Sequence, residues 1–378
     1  MIIKNATLIN MLDIYRKRMD IIIRDGKIAG ITANAEASLE DRVIDAAGAV
    51  VTPGFVECHS AVGIRNQVHR ENNDGDDAEP VSPQLRAIDA LDFSDEGFLM
   101  AARGGITTLL AGPGTGSLIG GTFCAVKTAG ENPSSRILME EAAFQFSLCG
   151  EPRKRFGGKG RSPQTRMGSA AMIREALFQA REAKRRLESG QEGSIRLADR
   201  SLMRVFEGMP VKITAFQAND IVTAIRLAEE FGLTYTVEGA YDAIEACEGL
   251  DRWDVRFVTG PLYGGGYSLE ERNRRLELAG EMEKRGLHLA LTTWHPKMNG
   301  ELFPYQLAMV HSHGMSELET LRAATLYPAR YAGLEDRVGS IACGRDADLL
   351  IWEGEPLDYY GKIKTMIVDG AEQDVGKF

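Results

Sequence analysis

Metal, acid–base and phosphate chemistry all need polar groups that converge, and this sequence offers few places where they could. His311 and His313 have the His-x-His spacing of a paired metal ligand. They fall in a helical pattern or at its end, where residues i and i+2 face different directions, so the pair reads as structural. His69 neighbours Glu71, Asp74 and Asp76, a set that could hold a cation, but the stretch from Asn72 to Pro83 is polar and acidic and reads as a solvated loop. Gly112-Pro113-Gly114-Thr115-Gly116-Ser117, followed by Gly120-Gly121, could cradle a phosphate. It lacks the terminal Gly-Lys-Ser/Thr of a P-loop and reads instead as a loop between strand and helix. Lys159, Arg161 and Arg166 form a compact basic patch that could meet an anionic ligand, an acidic partner or a local carboxylate.

The elements that must position such groups follow two patterns. The first fifty residues read as short strands. Asp25-Gly26 between Ile21-Ile22-Ile23 and Lys27-Ile28 is a hairpin signal. Near the other end, Ala347 to Trp352 and Thr365 to Gly370 have the same texture, so both termini are expected to build one small sheet domain. Between them, strand and helix patterns alternate. Strands are expected at Val211 to Phe216, Thr234 to Glu238, Val255 to Thr259 and Leu287 to Thr293. A helix capped by Asn219 or Asp220 should end at Gly232. Ser268 with Glu271, and Ser316 with Glu319, have the spacing of capping boxes. Repeated units of this kind predict a parallel sheet, either open or closed into a barrel.

Composition narrows the function classes. The chain has 378 residues, enough for two or three domains or one large barrel with an addition. Its 44 Lys and Arg against 54 Asp and Glu give a net charge of −10, which argues against nucleic acid or an anionic membrane as partner. Five cysteines, an odd number with no close pair, fit a reducing compartment. No apolar run reaches the ~18 residues of a membrane span. Met1 to Ala6 carry no secretion-signal pattern, and the expected location is the cytoplasm.

Four segments, in order, carry a family resemblance. Thr52-Pro53-Gly54-Phe55-Val56-Glu57-Cys58-His59 resembles the first-strand signature of the amidohydrolase superfamily, Pro-Gly-Phe-Ile/Val-Asp-x-His-x-His, and Val43 to Gly48 is similar to its lead-in. Gly104-Gly105-Ile106-Thr107-Thr108 looks like the second-strand motif, and Tyr327 to Leu334 like the late helix and its exit. Val338-Gly339-Ser340-Ile341-Ala342-Cys343-Gly344-Arg345-Asp346-Ala347-Asp348-Leu349 resembles the entry to the C-terminal sheet. Gly158 to Gly168 is similar to the imidazolonepropionase-like branch. The resemblance implies an α/β fold, a (β/α)8 TIM barrel over residues 56–334 with a small composite β-sandwich from residues 1–55 and 335–378.

It also implies one or two divalent ions such as zinc, held by two His on strand 1, a bridging Lys or Glu, a His on each of strands 5 and 6, and an Asp on strand 8. Zinc takes about four N, O or S ligands and acidifies a bound water. This sequence departs from that set. His59 matches the first histidine and is the residual ligand, but Ala61, Phe216, Gly239 and Trp294 stand at the other aligned positions. Glu151 falls one residue from the bridging carboxylate. The expectation is therefore a degenerate site with no metal or other cofactor, in a non-catalytic ligand-binding or assembly subunit. One alternative is an active hydrolase of cyclic amides or other non-peptide C–N bonds, with His59, Glu151, Glu238 and His295 as acid–base or ligand candidates. Another is a regulatory partner of an active paralogue. A small-molecule ligand, and a homo-oligomer or a hetero-oligomer with that paralogue, complete the expected partners.

Overall fold

The computed structural model describes residues 1–65, 72–76, 78–190, 194–264 and 268–376. Five N-terminal strands come first: β1 (Ile2–Leu8), β2 (Lys17–Arg24), β3 (Lys27–Thr32), β4 (Val43–Asp45) and β5 (Val50–Pro53). β2 and β3 are joined by the expected Asp25-Gly26 turn, with both residues at positive φ (50° and 74°) as a type I′ hairpin requires. Eight strands follow: β6 (Phe55–Ser60), β7 (Ile106–Ala111), β8 (Ile119–Lys127), β9 (Ile137–Ser147), β10 (Val211–Ala215), β11 (Tyr235–Gly239), β12 (Phe257–Thr259) and β13 (Leu289–Leu291). The chain ends with β14 (Leu349–Glu353), β15 (Lys362–Val368) and β16 (Ala371–Gln373).

The middle eight strands pair in chain order from β6 to β13. A parallel bridge between Ser60 and His295 brings the two ends together, with the Ala61 N–H donating to the His295 carbonyl at 3.0 Å. The result is a TIM-barrel-like α/β fold that departs from strict βα repetition at one strand. β8 runs antiparallel to both β7 and β9. Only residues 112–118 connect β7 to β8. A parallel crossover takes a dozen or more residues, so so short a link must reverse the chain. The glycine-rich segment therefore joins two antiparallel strands, and no helix follows it as the sequence pattern suggested.

The terminal strands form one hydrogen-bonded path in the order β16-β15-β14-β5-β1-β2-β3, with β4 also on β1. Alternation along β14 divides its side chains between two cores. Leu349 and Ile351 join the apolar cluster of the terminal sheet, while Leu350 and Trp352 pack into the barrel cluster. A buried lysine fastens the two bodies. Lys127, at the end of β8 and fully buried, lies 3.3 Å from Asp346 and 3.2 Å from Asp369 and pairs directly with Asp348.

Two expected caps form differently. Neither Ser268 nor Ser316 makes a side-chain cap. Ser316 donates its hydroxyl to Glu283, and Glu271 turns to Lys297. The helix Ala218–Phe231 starts before Asn219, and its first N–H donates to Asp242 from another element at 3.1 Å. In each case a tertiary partner displaces the local one.

Removing one partner from a buried ion cluster leaves uncompensated charge, typically about 3–5 kcal/mol. Lys127→Met should lower the urea-unfolding free energy by about that amount. A loss below about 1 kcal/mol would mean the cluster does not hold the sheet to the barrel.

Candidate functional site

Four of the aligned positions meet at the end of the barrel where the strands finish. His59 lies near the end of β6, Phe216 just past β10, Gly239 at the end of β11 and Trp294 shortly after β13. The His59 and Trp294 rings lie 4.3 Å apart, and Phe216 is 6.0 Å from Trp294. Phe216 stacks on Tyr241 at 5.5 Å, and Phe123 meets His59 edge-on at 5.1 Å. Gly239 has φ +82°, and a Cβ there would lie 2.3 Å from the Phe216 ring. The glycine and the phenylalanine are thus a matched pair: a side chain at 239 would exclude the ring at 216.

Beneath this aromatic layer is a buried polar cluster. His59 Nδ1 lies 2.6 Å from Glu238 Oε2, and the Lys212 ammonium pairs with Glu238 Oε1. Lys212, Glu238 and His59 are 4 %, 0 % and 3 % exposed. β10 and β11 are parallel with Thr214 opposite Glu238, and Lys212 shares a face with Thr214, two residues on. Lys212 also lies 5.4 Å from the Phe123 ring centroid. Burial pushes the Glu238 carboxyl up, but Lys212 and His59 outweigh it and the net shift is downward. Burial likewise opposes the Lys212 ammonium, and Glu238 holds it charged with its pKa above the ordinary lysine value.

A second buried carboxylate closes the barrel. Glu57 accepts from the His59 N–H at 3.0 Å, the Thr293 N–H at 2.7 Å, the Thr293 hydroxyl at 2.6 Å and the Thr292 hydroxyl. Burial raises its pKa despite these four donors. Lys212 and Glu57 were not among the residues the sequence singled out. Their signal was a charge inside an apolar strand, Val211-Lys212-Ile213 and Val56-Glu57-Cys58.

The other candidates do not join this cluster. Glu151 is exposed, in a short turn at the rim of a cavity of about 330 Å3. His295 contributes its backbone carbonyl to the barrel seam, while its ring Nδ1 is buried without a hydrogen bond. His311 and His313 donate from Nδ1 to the backbone carbonyls of Met315 and Met309, closing the helix Phe303–Ser312. Arg161 pairs with Glu79 and Arg166 with Asp220, so these two arginines bind local carboxylates. His69 and Glu71 lie outside the described residues.

These donors do not fit a divalent ion. Glu238 is shared between an imidazole and an ammonium, and aromatic rings cover the cluster. Among the described residues no group of three or more His, Cys, Asp and Glu side chains is placed to hold a metal. The cavity has Phe216 in its wall, and neither His59 nor Glu238 lines it. Arg65, Asp74, Arg155, Glu270, Glu271 and Lys297 give it a charged lining.

Two outcomes follow from the buried groups. Lys212→Met should destabilise the fold by about 3–5 kcal/mol in urea unfolding, and adding Glu238→Gln should recover part of that, because the stranded charge is gone. Simple additivity of the two losses would contradict the pairing. Burial lowers the His295 pKa to about 4, from an ordinary 6.5. Below pH 6.5 the unfolded chain then binds a proton that the folded chain refuses, so stability falls on acidification. The loss should be about 2 kcal/mol between pH 7 and pH 4.5, and His295→Gln should remove that part of the slope. An unchanged slope in the variant would show that His295 is not the group responsible.

Comparison with known proteins bears on the same fold. A family model described as the amidohydrolase family matches residues 270–375. Amidohydrolase tasK of Hapsidospora irregularis is 26% identical over 94% of this chain, which spans 40% of that protein. An allantoinase of Salmonella choleraesuis is 32% identical over 30% of this chain and 19% of its own length. The crystal structure of an amidohydrolase from Thermotoga maritima superposes with a TM-score of 0.92 at 29% identity, covering 98% of both chains. With the family-model match, the relative that aligns along most of the chain and the superposition over both whole chains, the chain belongs to the amidohydrolase superfamily.

Proposed function

We propose that this chain binds a small molecule at the mouth of its barrel and does so without the metal-dependent hydrolysis typical of its superfamily. One observation carries the reading: the Lys212 ammonium occupies the free carboxylate oxygen of Glu238 while His59 takes the other. A cation supplied by the chain thus neutralises the buried carboxylate beside His59. Phe216 and Trp294, 5 % and 6 % exposed, fill the space above it. The substituted positions Ala61, Phe216, Gly239 and Trp294 are consistent with a site remodelled as a unit. The hydrolase alternative would use His59 and Glu238 as its acid–base pair, and both lie beneath those rings, away from the cavity.

Protein purified without chelator should contain far less than one zinc, manganese or iron per chain by elemental analysis. Zinc and EDTA should leave its melting temperature unchanged. A variant combining Lys212→Ala, Phe216→His and Trp294→Asp should gain a zinc response, worth about 3 kcal/mol when zinc is roughly a hundred times its dissociation constant. Gly239 is best left as it is, because its φ of +82° disfavours any side chain. Stoichiometric, chelator-removable metal in the natural protein would overturn the reading.

A further inference from the structure

Exposed apolar side chains gather on one helix. Arg166–Glu188, with 23 residues, is the longest of the described helices. Its inner face is buried through Ile173, Leu177, Ala180 and Ala183. Its outer face carries Met167, Ala171 and Phe178 at i, i+4 and i+11, one stripe along the axis. Met167 is 81 % exposed and Phe178 52 %. Arg196 pairs with Gln179 and brings Leu197, 67 % exposed, alongside the stripe. Scattered apolar residues on a surface are ordinary, but an aligned set marks an interaction site. The stripe is also self-complementary. A two-fold axis between Arg174 and Glu175 places Phe178 of one copy on Ala171 of the other, twice over, so a large ring meets a small side chain. At the axis the same rotation sets Arg174 against Glu175 of the second copy. Both have an atom to spare. Arg174 holds Glu230 through Nε and Nη2, both at 2.8 Å, and its Nη1 makes no hydrogen bond among the described residues. Glu175 accepts from Gln179 on Oε1 at 3.2 Å, and its Oε2 has no donor among them.

We propose that this helix is the docking surface for a second copy of the chain, in a symmetric antiparallel pair. A parallel pair would set Arg174 on Arg174 and Phe178 on Phe178, and like charges so placed repel. A helix of this length is about 35 Å long and 10–12 Å wide. Two such faces cover on the order of 800 Å2, and the Leu197 segment adds to that, which reaches the lower bound of a specific interface. The pair is therefore a reversible dimer. It is independent of what the barrel mouth binds.

Sedimentation equilibrium of the full chain from about 1 to 200 µM should show a monomer–dimer equilibrium. Phe178→Asp and Glu175→Arg should each weaken the dimer at least about tenfold. Both side chains face solvent in the single chain, so both variants should melt as the natural protein does. Leu39→Asp, at a fully exposed leucine between β3 and β4, should leave the equilibrium unchanged. A monomer at every concentration overturns the proposal and leaves the stripe to a different partner. A dimer that survives both helix variants, or one that Leu39→Asp weakens equally, overturns it too.

Discussion

A carboxylate at the centre of a barrel is costly unless a positive charge and hydrogen bonds reach it, and Lys212 meets that need for Glu238. The consequences extend outward from this pair. The ammonium takes one oxygen and His59 the other, which leaves the cluster neutralised by the chain's own groups. A cluster of that kind can be covered with aromatic rings, and Trp294, Phe123 and Phe216 do so. The rings exist there because Gly239 yields its side-chain volume to Phe216. The cavity at the same end of the barrel is lined by arginine, lysine and glutamate side chains.

A second buried lysine solves a different problem by the same means. Lys127 holds three aspartates of the C-terminal segment against the reversed strand β8. The resemblance placed Asp346 and Asp348 within a family motif, and their contacts explain why acidic residues suit that entry to the sheet. Lys127 fastens the sheet to the barrel, whereas Lys212 sets the character of the barrel's interior. Neither lysine faces water, and both are held charged by carboxylates that burial alone would penalise.

Much of the fold was legible where the determinant is local. The Asp25-Gly26 turn needs only two residues able to take positive φ, and the strand–helix alternation from residue 211 onward needs only periodicity. The capping boxes misled because Ser316 and Glu271 have better partners across the fold, in Glu283 and Lys297. The reversal of β8 was present in the seven residues of its connection, but only once the strand ends are known. Within the site, the motifs singled out His59, Phe216, Gly239 and Trp294, which the fold brings together. Lys212 was not: alternation sends a lysine between Val211 and Ile213 to the solvent face, and a barrel strand covered on both sides has no such face.

The charge state of Lys212 decides the matter most directly. In protein labelled with 15N-lysine, its side-chain nitrogen signal can be assigned by its loss in Lys212→Met. The account predicts a protonated ammonium at neutral pH that persists above the ordinary lysine pKa and is unmoved by zinc or EDTA. A neutral amine at neutral pH, or a signal displaced by stoichiometric zinc, would contradict it.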